Sequence, residues 1–306
     1  MNIKQIAEAK NVLESGHRMC AGCAAPIIVK LVTSVLKPNE KVVISNATGC
    51  LEVATTIYPY TSWKVPWIHN AFENAAATIS GVETAYRALK KKGKIKEDFK
   101  FISFGGDGGT YDIGLQSLSG ALERGHKFLY VCYDNEAYMN TGIQRSSATP
   151  FGAHTNTAQA GLVQQGKKVF RKDLTRIMVA HNIPYVAQAS IHNVVDLTNK
   201  ARKALDADGP SFLNVLSACV PGWKVKMDSA VELSKLAVET NFWPLYEVID
   251  GKYKLNYEPK ERKPITEFLK SQGRFRHLFT PKNKGIITKL QEHVDNEFKK
   301  LKELCR

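Results

Sequence analysis

A strand, a glycine-rich turn, a helix and a second strand follow one another near the middle of the chain, and this unit constrains the fold most. Residues 99–104 form a short apolar run that leads into Gly106-Asp107-Gly108-Gly109, and residues 127–133 form a second run that leads into Asp134-Asn135. A helix is predicted between them over residues 113–124. Short, nearly continuous apolar runs are typical of parallel strands buried on both faces. The unit therefore predicts a βαβ arrangement with both polar turns at the same edge of a sheet.

The same alternation of strands and helices continues through most of the chain. It predicts further strands over residues 41–45, 184–188 and 211–217, and helices over residues 24–36, 71–92 and 193–206. We expect an α/β domain with a doubly wound, mostly parallel sheet over residues 1–221.

The pattern changes after Pro221-Gly222-Trp223. Residues 222–284 are rich in lysine, proline and aromatic residues and have little periodicity, whereas residues 285–304 have the apolar spacing of an amphipathic helix. We interpret residues 222–306 as a C-terminal extension that ends in this helix. The pattern leaves open whether the extension packs on the domain or on a neighbouring subunit.

The chain carries a formal net charge of +14, which nucleic acid, a membrane surface or an acidic protein partner could each explain. The basic residues are spread out, and the densest run, Lys90 to Lys96, is typical of an exposed loop. Aromatic residues do not interleave with them as in single-strand binders, so we expect no nucleic-acid partner. The sequence has no apolar run of membrane-spanning length and no signal-peptide pattern, so we expect a cytoplasmic protein without a membrane partner.

The two polar turns carry residues that suit a hard metal ion. Asp107 and Asn135 follow neighbouring strands and can supply two oxygen ligands to Mg²⁺, with diphosphate oxygens, a backbone carbonyl and water completing the shell. The glycines let the backbone approach phosphates and present N–H groups to them. Alternatively, the GDGG segment is only a turn before a helix, with Asn135 an ordinary turn residue.

Six cysteines are present, and four of them lie at the ends of predicted elements: Cys20, Cys23, Cys50 and Cys219. One CxxC pair and two remote single cysteines can hold a [4Fe–4S] cluster. Structural zinc more often uses two close pairs, and a thioredoxin-like CxxC lacks its βαβ context here. We interpret Cys132 as a small buried hydrophobic residue and Cys305 as a free thiol.

Several segments resemble a known family. The GDG segment followed by Asn135 resembles the signature of thiamine-diphosphate enzymes, and DNEAYMNTG is similar to a segment of 2-oxoacid:ferredoxin oxidoreductases. HRMCAGCAAP and ATGCLEVATTIYPYTSW resemble the cluster-binding segments of the pyruvate-type beta subunit, and GRFRHLF in the tail also looks familial. The resemblance covers most of residues 10–225 and implies the thiamine-diphosphate-binding fold.

The resemblance also implies roles for individual residues. It assigns the Mg²⁺ ligands to Asp107, Asn135 and the backbone carbonyl of Ala137, and it places Asn140 near the reacting carbon of thiamine diphosphate as a catalytic residue. The remaining cofactor-binding positions that it implies are Cys50, Gly106, Gly108, Gly109 and Tyr138. One [4Fe–4S] cluster would be held by Cys20, Cys23, Cys50 and Cys219. Single-chain relatives have a cofactor-binding glutamate where this chain has Ala25.

The implied activity is oxidative decarboxylation of pyruvate with coenzyme A to acetyl-CoA and CO₂, or the reverse synthesis, with electrons passing through the cluster to ferredoxin. An alpha subunit would supply the glutamate that activates the cofactor, since Glu52 and Glu136 lack motif support for that role. Gamma and ferredoxin-like delta subunits complete the implied assembly.

Three alternatives remain at this point. The same machinery could act on branched-chain, 2-oxoglutarate, indolepyruvate or oxalate substrates, although TTIYPYTSW favours the pyruvate or branched-chain type. A non-catalytic iron–sulfur or zinc module would leave the GDGG segment unused. A cluster-free thiamine decarboxylase would leave four cysteines unexplained.

Overall fold

The computed structural model describes residues 3–306 and contains one sheet of eight strands. The strands are β1 (Lys41–Ala47), β2 (Trp67–Asn70), β3 (Phe99–Gly106), β4 (Leu129–Asp134), β5 (Tyr185–Ser190), β6 (Ser211–Leu216), β7 (Leu245–Ile249) and β8 (Lys252–Tyr257). The α-helices are α1 (Ile3–Glu8), α2 (Ala24–Thr33), α3 (Cys50–Thr55), α4 (Ala75–Lys91), α5 (Leu115–Glu123), α6 (Leu174–Val179), α7 (Val194–Asp206), α8 (Val220–Trp223), α9 (Ala230–Glu239), α10 (Ile265–Lys270) and α11 (Lys284–Leu304).

The strand order is β2-β1-β3-β4-β6-β5-β7-β8, and the first six strands of this order are parallel. β2 lies on one side of β1, at the edge of the sheet, whereas β4 lies on the opposite side of β3. The connections therefore diverge between β1 and β3, which is where ligands bind in open α/β sheets. The predicted doubly wound, mostly parallel sheet is confirmed.

Two apolar cores cover the two faces of the sheet. Ile28 of α2 and Leu197 of α7 belong to the core on one face, and Ile79 of α4 and Leu118 of α5 belong to the core on the other. Every residue of β4, β5 and β6 is buried, as expected for central parallel strands. The edge strand β8 alternates between exposed and half-buried residues instead.

The C-terminal extension adds to the same sheet. β7 pairs antiparallel with β5, and β8 pairs antiparallel with β7. The predicted terminal helix is present as α11, which buries Leu290, Val294, Phe298 and Leu301 against its own chain. An ion pair of 3.0 Å between Arg176 and Glu297 fastens it to α6. The extension thus packs on the domain, and the proposed division at residues 221 and 222 stays a prediction.

Within residues 3–306, none of the helices has both the length and the apolar character needed to span a membrane.

Candidate active site

A narrow cleft, open to solvent, lies at the carboxyl ends of β1, β3 and β4. It is formed by the turn after β1, the glycine turn after β3 and the segment that follows β4. Its lining residues are Thr48, Gly49, Cys50, Phe72, Gly106, Gly108, Gly109, Tyr133, Asn135, Ala137, Tyr138, Met139, Asn140 and Thr141. The topology therefore gathers every predicted cofactor-binding residue at one cleft, with Asp107 fully buried beside it.

Three groups converge at the buried end of this cleft. The terminal atom of the Asn135 amide that faces them lies 2.8 Å from Asp107 Oδ1 and 2.8 Å from the Ala137 carbonyl oxygen. With nitrogen in that position the amide donates to both oxygens, and with oxygen there three oxygens converge. In octahedral coordination by Mg²⁺, neighbouring oxygens are about 2.9 Å apart, since each bond is about 2.0–2.1 Å long. The three groups therefore fit one face of a Mg²⁺ site.

Asp107 has few compensating donors. Burial raises its pKa, the nearby charge of Asp134 raises it further, and Ser146, which donates a hydrogen bond of 2.5 Å, opposes these effects. The net pKa lies well above 3.8. A buried carboxyl group in such surroundings is suited to a cation, because a positive charge favours its ionised form.

Glycine is required beside Tyr138. A Cβ atom at Gly108 would lie 2.3 Å from the Tyr138 ring, and that ring packs edge-on against Phe72 with 5.9 Å between centroids. Tyr138 is held in turn by two backbone hydrogen bonds to Gln144, of 2.9 and 3.1 Å. Asn140 is exposed at the mouth of the cleft. The glycine turn and the segment after β4 therefore pack directly on each other.

The CxxC pair and the two single cysteines come together at the same edge. Cys23 precedes α2, Cys50 begins α3 and Cys219 precedes α8; a backbone hydrogen bond from Ala24 to Ala218 joins the first segment to the last. Cys20 is exposed and the other three are half-buried.

The thiols also act on one another electrostatically. Burial, together with smaller contributions from charges on fellow cysteines, raises the pKa of Cys23 to about 11 and that of Cys50 and Cys219 to about 12. Four cysteines at one edge of the sheet match an iron–sulfur cluster in number and in donor type. In the described part of the chain, no three His, Cys, Asp or Glu side chains are gathered closely enough for a single metal ion.

Comparison with known proteins identifies the family. Residues 47–215 match the family described as thiamine pyrophosphate enzyme, C-terminal TPP binding domain. The chain is 57% identical to pyruvate synthase subunit PorB of Thermotoga maritima, over 98% of this chain and 95% of the relative. It is 53% identical to the subunit of the same name from Methanocaldococcus jannaschii, over 94% of this chain and 95% of the relative. The chain belongs to the 2-oxoacid:ferredoxin oxidoreductase family, as a beta subunit of the pyruvate synthase type.

Two further relatives define the breadth of the family. The chain is 42% identical to ketoisovalerate oxidoreductase subunit VorB of Pyrococcus abyssi, over 95% of this chain and 92% of the relative. A solved structure of 2-oxoglutarate:ferredoxin oxidoreductase from Magnetococcus marinus aligns with a TM-score of 0.57 and 20% identity, covering 77% of this chain and 81% of that one. The structural likeness shows that the fold is shared. The resemblance inferred from the sequence is confirmed, and the cofactor of the matched domain is thiamine diphosphate.

A buried ionic network supports the segment of this beta subunit that carries Asn135 and Ala137. Glu136, which has a left-handed backbone with φ of 68°, pairs with Arg171 at 3.0 Å and with Arg274 at 2.5 Å. Arg171 also pairs with Asp134 at 2.5 Å. Burial raises the pKa of Glu136, although both arginines oppose that effect. The network holds residues 134–137 in the conformation that aims Asn135 and Ala137 at Asp107.

The sequence patterns did not reveal these arginines. Arg274 lies in the GRFRHLF segment, whose resemblance to the family was the available signal. Its guanidinium lies 4.0 Å from the centroid of the Trp223 ring, and the Trp223 indole donates a hydrogen bond of 2.9 Å to the Asn135 carbonyl oxygen. The C-terminal extension thus reaches back to the cofactor cleft.

Neither glutamate beside the motifs faces the cleft. Glu136 is committed to the two arginines, and Glu52 pairs with His69 at 2.8 Å. The residues that line the cleft, within the described range 3–306, include no carboxylate.

Proposed function

We propose that this chain is the beta subunit of an enzyme that oxidatively decarboxylates pyruvate with coenzyme A, or synthesises pyruvate in the reverse direction. The observation that carries the proposal is a single cleft that joins the converging groups of Asp107, Asn135 and Ala137 to Cys50, one of four cysteines at the same edge of the sheet. High identity to pyruvate synthase subunits supports pyruvate as the substrate.

At the metal site, Asp107, the Asn135 side chain and the Ala137 carbonyl would hold Mg²⁺, which binds the cofactor's diphosphate. Backbone N–H groups of the turn Gly106 to Gly109 would bind the same phosphates. When bound, thiamine diphosphate supplies an electron sink that makes decarboxylation of a 2-oxoacid feasible.

The remaining cleft residues position the reactants. Tyr138 packs over Gly108 and fixes the distance between the two sides of the cleft. Asn140, exposed at the mouth, carries an amide that can both donate and accept, which suits it to orient the oxygens of the oxoacid beside the reacting carbon.

Cys20, Cys23, Cys50 and Cys219 would hold one [4Fe–4S] cluster, since their donor chemistry and mutual proximity fit it. The cluster supplies one-electron transfer from the cofactor site. Of these cysteines only Cys20 is exposed; Arg18, two residues before it, and Lys226, next to the Met227 carbonyl that packs on Gly22, are exposed cations. We propose that electrons leave at this corner toward an acidic ferredoxin or ferredoxin-like delta subunit.

The cleft needs a partner to be complete. Because the lining residues in the described range carry no carboxylate, the group that activates the cofactor's aminopyrimidine ring would come from an alpha subunit. A gamma subunit would complete a cytoplasmic assembly. A branched-chain 2-oxoacid is the second candidate substrate, favoured by the 42% identity to a ketoisovalerate oxidoreductase subunit.

The test is anaerobic purification of the chain with its co-expressed partner subunits, followed by iron, sulfide and zinc analysis and assays with several oxoacids. We expect about four irons and four sulfides per copy of this chain beyond those of the partners, and coenzyme A-dependent oxidation of pyruvate. Cys→Ser substitutions at the four positions should remove this iron, whereas Cys305→Ser should retain it. Zinc without sulfide, or turnover of another oxoacid in preference to pyruvate, would overturn the corresponding part.

A further inference from the structure

The hydroxyl group of Tyr133, beside the cleft, makes no hydrogen bond of good geometry among residues 3–306. Tyr133 itself is only 2% exposed. Leaving a buried hydroxyl unsatisfied costs about 1–3 kcal/mol. Two other buried tyrosines do not bear this cost: Tyr111, in the turn after β3, donates to Asp134 at 2.6 Å, and Tyr130 of β4 bonds to Thr110 at 3.2 Å.

The backbone around Tyr133 shows where this hydroxyl points. Tyr133 lies opposite Gly106 in the sheet, and its ring would be 3.3 Å from a Cβ atom at that glycine. The hydroxyl oxygen itself would lie 2.8 Å from a Cβ atom at Gly49, the residue before Cys50. The hydroxyl is therefore directed at the first turn of α3, where Cys50 faces the cleft.

We propose that the Tyr133 hydroxyl donates a hydrogen bond to the Cys50 sulfur when that sulfur ligates the cluster. Hydrogen bonds to ligand sulfurs stabilise the more negative, reduced form of a cluster and so raise its reduction potential. Tyr133 is then a positioning residue that raises the reduction potential of the cluster, which accepts electrons from the neighbouring cofactor. This role rests on the proposed assignment of Cys50 as a cluster ligand.

Tyr133→Phe in the assembled holoenzyme tests the role, because it removes only the hydroxyl oxygen. Tyr130→Phe is the matched control, a buried tyrosine on the same strand whose hydroxyl bonds to Thr110. A redox titration followed by electron paramagnetic resonance should place the midpoint potential of the Tyr133→Phe cluster below that of wild type, with Tyr130→Phe unshifted. Iron content and thiamine diphosphate affinity should stay within twofold of wild type.

Coincident potentials in the wild type and Tyr133→Phe would overturn this inference and leave the proposed function standing. An unchanged potential with a tenfold loss of thiamine diphosphate affinity would also overturn it, by assigning the hydroxyl to the diphosphate. A wild-type protein without the cluster would defeat the proposed function itself. If Tyr133→Phe does not retain iron, 3-fluorotyrosine at position 133 replaces it as the test, because this residue keeps the hydroxyl as a more acidic donor. The midpoint potential of the cluster should then lie above that of wild type, and a potential at or below the wild-type value would overturn the inference.

Discussion

Arg274 Nη2 lies 2.5 Å from Glu136 Oε2, although 138 residues separate them in the chain. Both side chains are essentially excluded from solvent, with 2% and 0% of their side-chain surface exposed. The contact links the C-terminal extension to the segment that carries Asn135 and Ala137. Glu136 is buried and has a left-handed backbone with φ of 68°, so its surroundings must hold it in place, and this pair supports the arrangement of Asn135, Ala137 and Asp107.

Arg274→Met is expected to destabilise the protein and to weaken cofactor binding. Removing one partner of a buried ion pair costs about 3–5 kcal/mol, because Glu136 would be left partly uncompensated. Thermal unfolding and titration with thiamine diphosphate and Mg²⁺ measure the two effects. Arg276→Met, an exposed arginine in the same turn, is the control and should leave both unchanged. Equal behaviour of the two variants would show that the pair is dispensable.

Gly108→Ala is expected to lower thiamine diphosphate affinity about tenfold, which corresponds to about 1.4 kcal/mol. The added methyl group would lie 2.3 Å from the Tyr138 ring, so the ring must move into the cleft. Calorimetric titration in the presence of Mg²⁺ gives the affinity. Gly81→Ala in α4, where nothing lies within 4 Å, is the control and should raise stability by about 0.5–1 kcal/mol without altering affinity. Unaltered binding by Gly108→Ala would mean that Tyr138 does not limit the cleft.

Gly22→Ala is expected to abolish the iron content of the chain. Gly22 has φ of +78°, and an added Cβ would lie 1.8 Å from the Met227 carbonyl oxygen, so the CxxC turn would have to shift. Gly16→Ala is the control that separates backbone strain from steric clash. Gly16 also has a positive φ, of +95°, but a Cβ atom added there would have no atom within 4 Å. Iron and sulfide analysis should find a full complement in Gly16→Ala. A full complement in Gly22→Ala would show that the turn tolerates displacement.

Glu247 is expected to make stability depend on pH in the acid range. Burial raises its pKa, but hydrogen bonds from Lys203, Tyr185 and Asn256 prevail and hold the pKa below its ordinary value of 4.5. The folded protein thus binds this proton less readily than the unfolded chain. The contribution of ionised Glu247 to the free energy of unfolding is therefore complete above about pH 4.5 and is lost as the pH falls through the folded-state pKa.

Denaturant unfolding of wild type and Glu247→Gln at pH 7 and near pH 4 measures this contribution. The variant should be less stable at pH 7 by about 1–3 kcal/mol, and the difference should narrow in acid. Glu258→Gln, whose partner Lys302 is also on the surface, is the control and should stay within about 1 kcal/mol of wild type at both pH values. A difference that does not narrow would exclude ionisation of Glu247 as its source.

Local sequence patterns determined the parallel strands, the glycine turn and the meeting of Asp107 and Asn135 at one edge. Short apolar runs must be buried on both faces, and right-handed connections then bring the carboxyl ends of parallel strands together. The individual cysteine spacings likewise sufficed to predict a shared site. Residues 245–257 were not recognised as strands, because the aromatic-rich extension lacks regular periodicity, and β7 and β8 are formed by pairing with the completed sheet.

Only the tertiary structure decided how that site is supported. Arg171 has no sequence signal, and Arg274 has only its place in the GRFRHLF segment, because each acts by pairing with a carboxylate, Asp134 or Glu136, that only the fold buries beside it. The direction of the Tyr133 hydroxyl toward Cys50 likewise follows from the register of β4 against β3 and from the turn after β1. Such contacts join segments far apart in the chain, and their energy depends on burial, which a linear pattern of residues does not specify.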